Sequence, residues 1–374
     1  MRKVKIFAVC VLIILSFSVN AYAAGESEYY NGQVESSGAE DILSELDSET
    51  KERLGELGIE DVNFSSLFDV SFSKIFSFVK KAAEGKLESP LKSLMKLLSV
   101  IILIAVCESF MPDDDKMKNV INMAAVLFSV TVIISPLYDA MESAVSSVGV
   151  CADFMKSLIP VLVGIVSASG NPSLAVSFQS CAFAAAEVIS ALGKNYVVPI
   201  VGAVTALDLT GSLMPSMKLS GITELVKKTV IQTLSFTATL YVSFLGIKGA
   251  LANAADTVAS KGIKLVISSA VPIVGGAVSE AYSGIIGSLV LVKSTVGIFG
   301  IIVIAVITVP SMLQLLFWIF ALKLGAAAGE VFSLGGVSSL LKALSCAITL
   351  LNVVILFGAV LFIISLALLL SLKK

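Results

Sequence analysis

The sequence contains no histidine and only one tryptophan among its 374 residues. Without histidine, the chain cannot build a Ser-His-Asp triad, a histidine general base or a histidine metal site. It also lacks the G-x-x-x-x-G-K-[ST] motif by which a P-loop binds ATP. These absences predict that the protein is not an enzyme, has no catalytic residues and needs no metal or other cofactor.

Cysteine is also scarce, and its spacing carries no redox or metal signature. None of the five cysteines is part of a C-x-x-C pair, and they stand at positions 10, 107, 151, 181 and 346. The last four lie in apolar or amphipathic stretches, where cysteine is usually a small core residue.

Charged residues are also few. Only 14% of residues are charged, 56% are apolar, and the mean hydropathy is +0.96, well outside the range of a soluble domain. The chain is therefore predicted to be an integral membrane protein that contacts lipid. No basic patch resembles a nucleic-acid-binding surface, so nucleic acid is excluded as a partner.

The amino terminus has the pattern of a secretory signal peptide. Three bases in the first five residues precede the apolar run 6–19 and the tripeptide Ala21-Tyr22-Ala23. This order predicts a signal peptide at 1–23, cleaved between Ala23 and Ala24. The alternative is an anchor helix that is not cleaved.

Residues 24–91 are predicted to form an acidic extracytoplasmic segment. Residues 24–61 contain twelve acids and two bases, which favours a solvated tether with one or two short helices. Apolar residues then recur at helical spacing through 62–91, which predicts an amphipathic helix on the membrane surface or on a partner. Its lysines would lie outside the cytoplasm, against the positive-inside tendency, and that conflict stays open.

Residues 92–374 are predicted to form a polytopic membrane domain. The apolar segments predict an all-α polytopic membrane protein with about seven spans, plus broken or re-entrant and interfacial helices. Residues 139–158 are predicted to be an interfacial helix because polar residues share one stripe. Residues 159–169 are predicted to be re-entrant, since they are too short to cross alone.

Proline followed by an apolar run and glycine recurs within this domain, most prominently in 271–300. Such interruptions predict broken helices whose freed backbone groups neighbouring helices must satisfy. The candidate hinges are Pro160, Gly164, Pro199, Gly202, Pro272, Gly275 and Gly276.

The recurrence also suggests an internal two-fold repeat, 116–215 and 228–328, of the kind common in transporters. Chance similarity in a Gly- and Val-rich chain is the alternative.

Several ionisable residues fall inside apolar segments, where charge is costly unless it faces protein or water. Those predicted to form a polar pathway are Glu187, Asp208, Glu280 and Lys293. The alternative for each is a position near the end of a span with no functional role, which is favoured for Lys323 and Glu330.

Two strings carry a resemblance to a known family: LIPVLVGIVSASGNP at 158–172 and AVPIVGGAVSEAYSGIIGS at 270–288. With the signal peptide, the acidic segment and the polytopic body, they resemble the stage III sporulation protein AE family of endospore-forming Firmicutes. The resemblance extends from about Ala39 to the carboxyl terminus.

This resemblance implies a non-enzymatic component of the channel-like, secretion-like sporulation complex that links mother cell and forespore. It implies a multi-pass protein of the mother-cell membrane around the forespore, needed for forespore development and late forespore-specific transcription. The implied partners are other proteins of the stage III sporulation operon A, including ring-forming subunits and a separate ATPase, a forespore channel partner, and a YidC/Oxa-type insertase. The alternative function is a secondary transporter whose broken-helix repeats bind a small solute.

Overall fold

The computed structural model describes residues 28–62, 66–67, 70–110, 115–213, 220–270 and 275–371. The regular structure within these ranges is entirely helical, which confirms the all-α class. Three short helices come first: α1 (Glu28–Ser36), α2 (Ala39–Glu45) and α3 (Ser48–Leu57). Seven longer ones follow: α4 (Phe72–Ser109), α5 (Asp115–Ala168), α6 (Pro172–Ala191), α7 (Val198–Leu213), α8 (Ser220–Ala270), α9 (Gly275–Val331) and α10 (Gly335–Ser371).

Helix α9 lies at the centre of the bundle. It packs most extensively against α10 and also contacts α4, α5 and α8. Its Phe299 and Trp318 are almost completely buried. A helix that is apolar on every side, as α9 is, can be stable only where neighbours or lipid surround it.

Glycines on α9 allow its neighbours to approach closely. A Cβ atom added at Gly300 would lie 2.5 Å from Leu158 Cδ2 and 3.0 Å from Leu366 Cδ1. Both leucines are fully buried. Small residues at helix contacts are typical of membrane bundles, where tight van der Waals packing drives association.

Within the described residues, six helices are long and apolar enough to cross a membrane. They contain the segments Ser73–Ser109, Met117–Ala168, Pro172–Ala191, Gly221–Ile263, Ile285–Val331 and Gly335–Ser371, and a shorter apolar helix covers Pro199–Leu213. The multi-pass class is thus confirmed, with six long candidates where the sequence predicted about seven.

Segments that the sequence analysis treated separately are continuous in the structure. The amphipathic stretch up to residue 91 and the apolar stretch after it form the single helix α4, with Pro90 inside it. Residues 139–158, predicted to be interfacial, and all but the last residue of 159–169, predicted to be re-entrant, belong to α5. Hydropathy marks a change of surroundings along a helix, but the backbone hydrogen bonds continue through that change.

The short acidic helices are packed against the bundle. Helices α1 and α3 contact α9, α2 contacts α5, and α3 also contacts α4. Leu54, Leu57 and Ile59 are buried, so α3 uses an apolar face to dock. The sequence favoured a solvated tether here because acidic residues outnumber the few apolar ones that make this face.

The order of helices is similar in the two proposed halves. A long helix (α5 or α8) is followed by a short connection and a second helical stretch: α6 with α7 in the first half, α9 in the second. The internal repeat and the domain boundaries stay predictions.

Candidate functional site

The predicted hinges of α5 and α7 face outward. Pro160 and Gly164 lie inside α5, which continues through both, and both residues are exposed. Pro199 follows a π-helical segment, Leu192–Val197, so the backbone does change its hydrogen-bonding pattern just before it. π-Helical turns of this kind are frequent at functional sites.

The remaining predicted hinges are Gly202 of α7 and three residues near the start of α9 in the sequence. Gly202, in α7, is exposed, and a Cβ atom there would meet nothing within 4 Å. Gly275 and Gly276 are the first two residues of α9. Pro272 lies outside the described residues, as do the predicted cleavage residues Ala23 and Ala24.

Asp208 is a buried member of the predicted polar pathway. Its residue is 8% exposed, and Thr223 Oγ1 donates a hydrogen bond to its Oδ1 at 2.6 Å. Its Oδ2 is buried and has no hydrogen-bond partner among the described residues, which leave out the connection 214–219. Because Thr223 belongs to the start of α8, this contact joins the two ends of the α7–α8 connection.

The remaining pathway candidates lie elsewhere. Glu187 is exposed on α6 and pairs with Lys156 of α5 at 2.9 Å. Lys293 is 4% exposed in α9, and its Nζ donates to the Leu369 carbonyl oxygen of α10 at 3.4 Å. Glu280 lies in the first turns of α9, and its side chain is outside the described part. Asp208, Glu187 and Lys293 therefore contact three different helix pairs.

A different acid organises the contact of α6 with α8. The backbone N–H groups of Ser173 and Leu174 donate to Oδ1 and Oδ2 of Asp256 at 3.1 and 2.9 Å. Asp256 is 2% exposed. Its carboxylate thus caps the amino terminus of α6 from a neighbouring helix, where free N–H groups and the helix dipole favour negative charge.

Helix α8 makes a second contact with the turn before α6. Asn171, directly before α6, makes no capping hydrogen bond with its own side chain. Gly170 has φ of 82°, a left-handed conformation suited to glycine. Ser260, one turn after Asp256, donates to the Gly170 carbonyl oxygen at 3.4 Å, so α8 holds the α5–α6 turn at two points.

A small cavity lies beside this cap, between α6, α8 and α10. Its volume is about 10 Å³, close to the minimum for one water molecule. Its lining residues are Leu174, Ser177, Phe178, Leu245, Gly249, Ser365, Leu368 and Leu369. Ser365 also shares a hydrogen bond of 2.7 Å with the Tyr241 hydroxyl of α8. We use the name α6–α8–α10 junction for four features together. They are the cap, this cavity, the Tyr241–Ser365 contact, and the contact of Lys293 from α9 with Leu369.

The α6–α8–α10 junction is built for holding helices together. Lys293 supplies positive charge to the carboxyl-terminal end of α10, and Asp256 supplies negative charge to the amino-terminal end of α6, so each charge offsets a helix dipole. In the described residues, no group of three or more cysteine, aspartate or glutamate side chains could hold a metal ion.

Sequence reasoning missed Asp256 and Tyr241. It also missed Arg53 of α3, whose Nη1 donates to the Val306 carbonyl oxygen of α9 at 3.5 Å. Asp256 stands in the apolar stretch of α8 beside Asn253 and Ser260, so the cost of burying charge was an available signal. Tyr241 gave no signal in the sequence, because tyrosine is common in membrane-spanning helices. Arg53 is one of only two bases among the acids of residues 24–61, and that rarity could have singled it out.

Comparison with known proteins gives one consistent result. The family model for stage III sporulation protein AE matches residues 60–372. A curated relative, the stage III sporulation protein AE of Bacillus subtilis (strain 168), is 23% identical over 256 residues. That match covers 67% of this chain and 64% of the relative. No solved structure matches.

Proposed function

Because the chain belongs to the stage III sporulation protein AE family, we propose that it is a non-enzymatic membrane component of the sporulation channel that links mother cell and forespore. The family match over residues 60–372 carries the proposal, since it includes all of α4–α10. Membership supports a role in sporulation, and the six long apolar helices fit a multi-pass membrane protein.

The proposed role is to hold and position other proteins. The chain has no histidine and no P-loop, so the ATP-driven step of the complex belongs to a separate subunit. We place the protein in the mother-cell membrane around the forespore, with ring-forming subunits of the same operon and a forespore protein as partners. A YidC/Oxa-type insertase would assist its insertion.

Deletion of the gene in its native organism tests this role. The expected result is normal vegetative growth, with loss of heat-resistant spores and of a late forespore-specific transcriptional reporter. Restoration by the full-length chain is the control. Normal spore counts after deletion would contradict the proposal.

Association with partners needs a second measurement. Affinity purification from sporulating cells is expected to recover the other operon A proteins with the tagged chain, and a vegetative membrane protein with the same tag is the control. Solute uptake by liposomes containing only this chain would instead support the secondary transporter.

A further inference from the structure

Pro310 leaves a backbone carbonyl of the central helix without its helical partner. Proline has no N–H, so it cannot donate to the carbonyl of the residue four positions earlier, and its ring bends the helix there. In α9 that earlier residue is Val306.

Arg53 of α3 reaches this carbonyl. Its Nη1 donates to the Val306 oxygen at 3.5 Å, a long distance for a hydrogen bond. The donor is a positively charged guanidinium, which strengthens the contact. Its Nη2 pairs with Glu49, one turn earlier in α3. The Arg53 side chain is only 19% exposed, so the contact is mostly shielded from solvent.

Helix α3 is built to present Arg53 at this point. Asp47 caps its amino terminus by accepting from the Thr50 N–H at 3.2 Å. Leu54 and Leu57 anchor it by their buried side chains, and Glu56 forms an ion pair with Lys81 of α4. The helix is therefore fixed at its start, its apolar face and its outer face.

The residue after Pro310 also makes a contact with another helix. Ser311, directly after Pro310, accepts a hydrogen bond from Ser147 of α5 at 2.6 Å. Both α3 and α5 therefore contact α9 within a few residues of Pro310, where the helix lacks one of its own hydrogen bonds.

We propose that α1–α3 form a strap that sets the bend of α9 at Pro310, with Arg53 as the positioning residue. When α3 is docked, Arg53 satisfies the Val306 carbonyl and holds one bend. When a partner displaces α3, that carbonyl is released and α9 is free to change its bend. Because α10, α4 and α5 all pack against α9, binding at the acidic segment is transmitted to the whole bundle.

Hydrogen exchange of the purified full-length protein in nanodiscs tests the strap. In Arg53→Leu, amides of α3 and of α9 around residues 302–312 are expected to exchange about three to ten times faster, as the loss of one charge-assisted hydrogen bond implies. Lys51→Leu is the matched control: it removes the segment's other base, which is exposed and donates to the Ser44 carbonyl oxygen at 2.7 Å. Arg53→Lys is expected to recover part of the protection.

A double variant separates the strap from simple local unfolding. Pro310→Ala restores an N–H donor for the Val306 carbonyl, so adding Arg53→Leu to it is expected to change α9 exchange less than twofold. Full additivity of the two changes would overturn the proposal. So would faster exchange confined to α3, or equal effects of Arg53→Leu and Lys51→Leu.

Discussion

At the scale of single residues, Asp256 shows how a buried charge can be structural. Replacing it by alanine removes the acceptor for two N–H groups of α6, which is expected to cost about 1 to 2 kcal/mol of stability. Asp256→Asn keeps one oxygen and is expected to cost less. Thermal unfolding in detergent measures both variants. The control is Thr257→Ala, because that hydroxyl donates only within α8, to the Asn253 carbonyl oxygen. An Asp256→Ala midpoint equal to that of the control would contradict the capping role.

Removing the charge of Asp208, unlike removing that of Asp256, is not expected to lower the stability of the fold. Within the part of the chain that the structure describes, the buried Oδ2 of Asp208 has no hydrogen-bond partner, and an unpaired charge in such a place is destabilising. Asp208→Asn keeps an oxygen for Thr223 and removes the charge, so the thermal midpoint is expected to stay equal or rise. Asp208→Leu, which loses the Thr223 bond, is the comparison. A lower midpoint for Asp208→Asn would show that the carboxylate itself stabilises the fold. Unchanged stability with lost sporulation would support the polar pathway.

At the scale of helices, the contact of α9 with α5 and α10 depends on Gly300. Gly300→Ala would bring its Cβ within 2.5 Å of Leu158 and 3.0 Å of Leu366, and overpacking of a filled core costs about 1 to 3 kcal/mol. A lower thermal midpoint is therefore expected. Gly287→Ala in the same helix is the control, because a Cβ there meets nothing within 4 Å. If both variants unfolded at the wild-type temperature, the close packing of α9 would be refuted.

Several helices continue through prolines at which the sequence analysis expected separate segments. Pro90, Pro136 and Pro160 all lie inside continuous helices, although proline removes a hydrogen bond wherever it stands. Neighbouring helices hold these segments in place, so the loss of one bond bends the helix without ending it. Proline in the sequence therefore located weak points, and packing decided that they would not become breaks.

At the scale of the whole molecule, the bundle is longer than a membrane is thick. The 57 residues of α9 span about 85 Å at 1.5 Å per residue, against a hydrocarbon core of about 30 Å. Helix α3, with its exposed glutamates, touches α9 near the middle and cannot enter hydrocarbon. We therefore expect one half of α9 to lie outside the bilayer.

Single cysteines in a cysteine-free background test this arrangement. When the chain is expressed in the plasma membrane of vegetative cells, a membrane-impermeant maleimide is expected to label Lys51→Cys from outside intact cells. Of Ile285→Cys and Phe320→Cys, exposed residues on the two halves of α9, only one is expected to be protected by lipid. Ile102→Cys, on the exposed apolar face of α4, is the control for lipid protection. Protection of both halves of α9, or of Lys51→Cys, would rule the arrangement out.

The sequence by itself determined the helical membrane class and the family, because apolar content and short motifs are local properties of the chain. It also located the weak points of the helices, at proline and glycine. Only the tertiary structure decided at which of these points the helix stays continuous, that α1 and α3 dock on α9, and that Asp256 caps α6 from another helix. These outcomes depend on contacts between residues far apart in the chain, such as Arg53 with Val306. No local pattern of hydropathy or spacing encodes which distant groups will meet.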